Sequence, residues 1–410
     1  MENSITPKLR FPEFDNIQPY IKFGKVVASN IYGPRFNAKD YDNEGNVKTI
    51  RGTDVSSDGE FLYEQIPIAN LDQNLVDRHK LEDGDLVMIT TADCGLTGVF
   101  RKQNIDYISS AYGVRIRLND KGYPYYFKYF FQTRHAKKEV ASFVRKATVA
   151  NLPGSDILRI KLNLPSIEEQ FKIATFLTAI DKRIKILEKK KTDLEQYKKG
   201  VMQKIFSQEI RFKKEDGTDF PDWEEKKLSE VFSSAKGQGL SKGKIEENGE
   251  NECVLYGELY TTYAEVITTI ISRTNSNEGV KSIAGDLLVP CSTTTTGIDL
   301  ANVTALNKAD VLLGGDITIL RGKENVDNTF YAYYLSNYKK NELARFGQGT
   351  TIVHLYYNHF KVMKIDVPKV EEQQKIASFL VTIDNSIQTL GEQIEESRLF
   401  KKGLLQKMFV

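Results

Sequence analysis

Two stretches of the chain, PSIEEQFKIATFLTAID from Pro165 to Asp181 and PKVEEQQKIASFLVTID from Pro368 to Asp384, repeat one pattern at a distance of 203 residues. Set side by side without gaps, residues 165–206 and 368–409 agree at 19 of 42 positions. The same offset continues backwards, more weakly, through Leu152/Leu355 and Thr148/Thr351 to Phe127/Phe330. Further back, GDLVMI from Gly84 answers GDLLVP from Gly285, and FPEF from Phe11 answers FPDW from Phe220. A self-similarity of this kind makes the chain two copies of one unit. Its 410 residues suffice for that, at roughly 150 residues per domain.

The repeated blocks have helical period. Ile173, Leu177, Ile180, Ile184, Leu187, Lys191, Leu194, Lys198, Val201 and Ile205 step alternately by four and three, as do Ile376, Leu380, Ile383, Ile387, Leu390, Ile394, Ser397, Lys401, Leu404 and Met408. Eight of ten positions are apolar in each set, the seam of a coiled coil. Pro165 with Ser166, and Pro368, mark the starts, and Glu168–Glu169 and Glu371–Glu372 fall in the first turn, where the helix dipole favours acids. A helix of about 41 residues is about 60 Å long, more than a single globular core needs. Lys191, Lys198 and Lys401 interrupt the seams; they either fix register or snorkel outward beside a docked partner, and snorkelling is the preferred reading.

The segments between the helices carry short β-branched runs (VRIRL, VLLGGDITIL, VMKIDV), turn signals (DNEGN, EDGD, NSNEG) and many aromatic residues, the texture of loop-rich α+β domains. The predicted fold is therefore α+β, with two globular α/β domains in tandem, each followed by a long helix. Residues 1–160 and 208–363 form the domains, and 161–207 and 364–410 the helices. Folded back antiparallel, the helices pair as a coiled coil and generate a pseudo-twofold axis.

Composition excludes several classes. No stretch approaches the ~20 apolar residues of a membrane span, and the start MENSITPKLRFPEF shows no secretory signal, so the chain is expected in the cytoplasm. Cys94, Cys253 and Cys291 are scattered, with no C-x-x-C, and His354 and His359 are five apart where zinc motifs use four; no metal is expected. KGQGLSKGK lacks the glycine step and the Ser or Thr of a phosphate loop. FGQGT follows no apolar strand and no Pro-Pro-aromatic tetrapeptide accompanies it, and PDWEEK has its acid and its E-x-K groups too close to come from adjacent strands of a nuclease site. No catalytic residue is expected.

The net charge of +2 hides a division. Residues 101–161 carry 13 basic and 4 acidic groups, whereas residues 207–367 carry 18 and 23. The first tract, with Arg115, Arg117, Lys121, Lys128, Arg134, Lys137, Lys138, Arg145 and Lys146 among Tyr and Phe, reads as an electrostatic footprint for phosphates. The acidic second half favours a rival reading: a coiled-coil scaffold holding two protein-binding domains, without DNA recognition.

The two P-x-x-E-E-Q-x-K-I-A-x-F-L-x-x-I-D blocks, the K-K-G-x-x-Q-K-x-F endings at Lys198–Phe206 and Lys401–Phe409 and the F-P-x-aromatic openings closely resemble the specificity (S) subunit of type I restriction–modification enzymes, over essentially the whole chain. The resemblance implies two different target recognition domains that read a bipartite, asymmetric sequence in double-stranded DNA. It implies long helices that set the gap and dock two modification (methyltransferase) subunits. S-adenosylmethionine then belongs to those partners, ATP and Mg belong to restriction subunits, and this chain itself holds no cofactor.

Since the family's recognition domains place loops on DNA, polar turn-rich segments are the expected readers. In the first unit these are Arg51, Thr53, Thr90, Thr91, Arg115 and Arg117, with Lys137, Lys138, Arg145 and Lys146 on phosphates. In the second they are Lys236, Gln238, Lys242, Tyr256, Tyr260, Thr261, Thr293, Thr294, Thr295, Arg345, Gln348 and Thr350. Arg or Lys suits guanine, Gln suits adenine, and Thr methyls suit thymine.

Overall fold

The structure, a computed structural model, describes residues 7–146 and 148–409. It divides into two compact units, Met1–Lys189 with Gly391–Val410, and Lys190–Leu390. The division runs through both long helices, Ile167–Phe206 and Val370–Met408.

In the first unit, β1 (Val27–Tyr32), β4 (Leu86–Ile89), β5 (Thr97–Val99) and β7 (Gly113–Leu118) form an antiparallel sheet in the order β1-β7-β4-β5. A second sheet orders β3 (Ile68–Ala69), β2 (Val47–Ile50) and β6 (Asp106–Ser109), with β2 and β6 parallel. All four residues of β4, LVMI, are buried, which is why this strand reads as a continuous apolar run instead of alternating. The aromatic stretch after β7 becomes helix α1 (Pro124–Phe130), begun by a proline at its first position, where the missing N–H costs nothing. Tyr126, Phe127, Tyr129 and Phe130 are buried in the core with Phe23, Ile173, Leu177 and Ile180. Helix α2 (Arg134–Phe143) follows, its N-cap Thr133 accepting from the Ala136 N–H.

Residues 391–409 complete this unit. Lys401 pairs with Asp181 at 2.6 Å and Arg398 with Glu188 at 2.6 Å, so one helix's numbers fall as the other's rise: the segments run antiparallel. Leu404, Met408 and Phe409 join the core, the last with its ring 5.1 Å from Tyr126.

The second unit repeats this topology. β8 (Phe232–Lys236), β12 (Asp286–Pro290), β13 (Thr304–Leu306) and β15 (Ile317–Gly322) lie in the order β8-β15-β12-β13. β9 (Asn251–Val254) lies between β10 (Ser272–Thr274) and β14 (Leu312–Leu313), which it joins in parallel, and β11 (Val280–Lys281) pairs with the far side of β14. Helix α3 (Asn328–Tyr333) occupies the place of α1, and its Phe330, Tyr331 and Tyr333 are buried with Ile205, Phe206, Ile376 and Leu380.

The duplicated motif residues have duplicated jobs. Glu169 accepts from Arg10 at 2.7 and 2.8 Å, and Glu372 from Arg211 at 3.1 and 2.8 Å and from the Trp223 indole at 3.0 Å. Gln170, fully buried, accepts from the Tyr123 N–H at 2.8 Å and donates to the carbonyls of Lys121 and Pro165 at 3.0 Å each. Gln373 likewise serves Asp327 N–H, Asn325 O and Pro368 O. These amides fasten the loop before α1 or α3 to the helix start. Gln170→Leu strands that loop's polar groups, and the expected loss is about 1–3 kcal/mol, read as a lowered denaturant midpoint.

The seam lysines correct the sequence reading. Lys401 is largely buried on Asp181, whose other oxygen accepts from the Tyr129 hydroxyl at 2.7 Å. In the second unit Lys198 reaches Asp384 at 2.7 Å and Glu265 at 3.3 Å, and Tyr333 donates to Asp384. Burial, with the neighbouring carboxylates, drives both phenols well above their ordinary range, so they remain protonated donors. Lys198 and Lys401 do not snorkel; they are fixed cross-helix partners. Lys191 is half exposed and 3.8 Å from Glu195 on its own helix.

Candidate nucleic-acid interface

Three segments meet at one edge of each head. In the first unit, the Thr90 N–H donates to Tyr112 O at 2.9 Å and the Leu152 N–H to Thr90 O at 2.8 Å, while Arg145 and Asn151 exchange both backbone bonds, at 2.8 and 3.2 Å. In the second, Cys291 N–H donates to Asp316 O at 2.8 Å and Leu355 N–H to Cys291 O at 2.9 Å, and Gln348 and His354 exchange theirs at 2.8 and 2.7 Å. The backbone scaffold is thus the same in both, whereas the side chains differ: Thr90 against Cys291, Tyr112 against Asp316, Arg145 against Gln348, Asn151 against His354.

Several expected readers belong to that scaffold instead of its surface. Arg117 is bidentate on buried Asp85, at 2.8 Å to each oxygen, and Arg321 repeats this on Asp286 at 2.8 and 3.2 Å. Arg115 is buried and donates to Lys80 O at 2.7 Å. Thr90 is buried with its hydroxyl on Tyr112 O, and Thr293 is buried beside Thr295. Arg51 clamps Asp54 with two bonds of 2.9 and 3.0 Å. The sequence assigned Arg51, Thr90, Arg115, Arg117 and Thr293 to DNA; in the structure each of these groups is engaged within the protein, Arg51 with its side chain still 43% exposed. Lys128, counted in the basic tract, is also buried, paired with Glu60. Burial would raise the Glu60 carboxyl, but Lys128 and Lys185 together hold it below its ordinary value.

Other expected residues face solvent, Arg145 within 3.9 Å of Asp156. Lys137, Lys138, Arg145 and Lys146 are exposed. A cleft of about 560 Å³ between the loop 92–97 and α2 takes in Lys137 and Lys146. At its mouth Ala92 has a positive φ of 62°, uncommon for a residue with a side chain, and the Cys94 thiol, pushed up by burial, donates to Thr90 O at 3.0 Å. Thr91 is half buried and bridges to Asn151, while Thr53 is exposed and lends its carbonyl to Gln65.

In the second unit Lys236, Thr294, Thr295 and Gln348 belong to the three-segment edge or adjoin it, and the strand Ser292–Thr293 pairs with Val353–His354. Arg345 and Thr350 are exposed on the same connection as Gln348. Gln238 is exposed, its N–H reaching Leu313 O. Lys242, Tyr256, Tyr260 and Thr261 lie on the segments flanking β9.

Sequence reasoning missed three groups at the edge. Tyr112 is 63% exposed on the turn before β7. His354 stacks on Tyr356 at 5.4 Å and 14°, and the Lys236 ammonium sits 5.4 Å above the Tyr356 ring. The ungapped register through Leu152/Leu355 already aligned Asn151 with His354, and that signal could have found His354. Among the described residues no helix is long and apolar enough to cross a membrane.

Residues 21–196 and 221–397 each match the family model described as the type I restriction modification DNA specificity domain. The MjaVIII specificity subunit of a type I restriction enzyme from Methanocaldococcus jannaschii is 28% identical over 258 residues, 60% of this chain and 60% of that one. An MjaX relative from the same organism is 27% identical over 300 residues, 69% of this chain and 66% of its own length. The chain thus spans less than two thirds of the curated relatives it matches. The crystal structure of a type I restriction–modification system S subunit from M. genitalium superposes with a TM-score of 0.61 at 15% identity, covering 99% of both chains. That of the HsdS subunit from Thermoanaerobacter tengcongensis gives 0.51 at 18% identity, covering 95% of this chain and 96% of that one. At these identities the superpositions speak for the fold.

Proposed function

Because the chain belongs to the family of type I restriction–modification DNA specificity domains, of which it carries two copies, we propose that it is the sequence-reading subunit of such a complex. Each head reads one half of a bipartite, asymmetric target in double-stranded DNA. The observation that carries this reading is the three-segment edge, fastened by the same backbone hydrogen bonds in both units yet lined by unlike side chains. One scaffold presenting two vocabularies suits two unlike words.

Lys236 can donate to a guanine edge, Gln348 can bracket an adenine, and the exposed Thr294 and Thr295 can offer methyls or hydroxyls, each good pair contributing ~1–3 kcal/mol of discrimination. Lys137, Lys138, Arg145 and Lys146 orient the duplex through its phosphates, which carry no sequence information. The long helices set the gap and dock two modification subunits, which bring S-adenosylmethionine and methylate adenine in the cytoplasm; restriction subunits add ATP-driven cleavage. This chain supplies no catalytic group.

Mapping methylated adenines in cells that express the chain with its modification subunits tests the proposal. A bipartite motif is expected, and exchanging residues 1–160 for another recognition domain is expected to change one half only. The acidic second half favours the rival scaffold, which predicts no such motif and no salt-dependent affinity for duplex DNA.

A further inference from the structure

A groove of about 450 Å³ in the first unit is lined by Arg134 and Lys137 at the start of α2, by Arg398, Lys401 and Lys402 of the second long helix, and by Asp58. Five cations thus share one acid. Arg398 is satisfied by Glu188 and Glu395 at 2.6 Å each, and Lys401 by Asp181. Arg134, Lys137 and Lys402 are exposed and make no ion pair among the described residues. The first turn of α2 contains no acid, so its N-terminal dipole adds to the positive potential. Convergent like charges work against folding, unless an anion from outside offsets them.

The groove shares Ser57, Gln132 and Lys137 with the cleft beside the loop 92–97, so the two adjoin and Lys137 serves both. An open trough with separate cations suits a run of phosphates better than one small anion. The second unit keeps three of these five cations, Lys340, Lys198 and Lys199. At the matching positions stand Asn337, bound to Glu265 at 2.9 Å, Lys340, bound to Asn302 at 2.8 Å, and Glu195 in place of Arg398.

We propose that Lys402 and Arg134 carry part of the DNA phosphate backbone, so that the end of the second long helix is itself a nucleic-acid contact. The inference rests on the DNA reading above. It distinguishes the two copies of the K-K-G ending: Lys402 contacts DNA and its counterpart Lys199 does not.

The test uses the full chain assembled with its modification subunits and a duplex bearing the mapped methylation target, with affinity measured across salt concentrations. Lys402→Ala and Arg134→Ala each lower the slope of log affinity against log salt by about one, and the double variant by about two, with the methylation map unchanged. Lys199→Ala leaves the slope unaltered. An unchanged slope in the double variant, while the wild-type complex binds its target with salt dependence, overturns this inference alone, as does an equal drop for Lys199→Ala. A wild-type complex with no salt-dependent binding overturns the DNA reading with it. All three side chains are exposed, and an unchanged melting temperature verifies that the variants fold.

Discussion

Lys401→Ala is expected to destabilise the first unit by about 3–5 kcal/mol, the range for removing one member of a buried ion pair. Both side chains are nearly closed off, 11% exposed for Lys401 and 10% for Asp181. The Lys401 ammonium also lies 5.4 Å above the Tyr129 ring, whose hydroxyl serves the same carboxylate. Truncation leaves Asp181 with the phenol alone, in surroundings too dry to solvate it. Replacing the pair together, Lys401→Met with Asp181→Leu, is expected to recover much of the loss, since a well-packed apolar pair often matches a buried ionic one. Denaturant midpoints decide the matter. A loss below about 1 kcal/mol, the scale of an exposed pair, would return Lys401 to the solvent-reaching role that the sequence suggested.

The second large effect separates reading from fastening. Arg117→Ala removes two charge-assisted bonds of 2.8 Å from an Asp85 that is only 2% exposed. Such bonds contribute about 1.5–3 kcal/mol, and Arg117 is itself 31% exposed, so a loss of about 2–3 kcal/mol is expected with no change in the bases recognised. The Arg321–Asp286 copy supports this: a residue that reads has no reason to recur on a head with another vocabulary, whereas a fastener does. A methylation map that relaxes at one base pair while the melting temperature holds would make Arg117 a reader after all.

The sequence made the architecture plain because its strongest signals were of a kind that survives without tertiary information. Helical period, acids in the first turn and a gapless repeat located both long helices, which run from Ile167 to Phe206 and from Val370 to Met408. Partners were less legible. Charge alone could not distinguish Arg117 on Asp85 from Lys137 in water, because a basic residue looks the same in sequence whether its counter-ion is a phosphate or a buried carboxylate. Exposed positions such as Tyr112 were hidden for the opposite reason: an aromatic residue suggests a core, and only the turn before β7 turns this one outward. Lys401 and Lys198 were misread because a lysine on an apolar seam usually reaches for water, and nothing local announced an aspartate some two hundred residues away.

The duplicated fastening of the edge by main-chain groups has an evolutionary consequence. Every residue type except proline carries the N–H and C=O used there, so the exposed side chains of the rim take little part in that fastening. Substitution or recombination can rewrite the lettering of either rim and leave the hinges of the page intact.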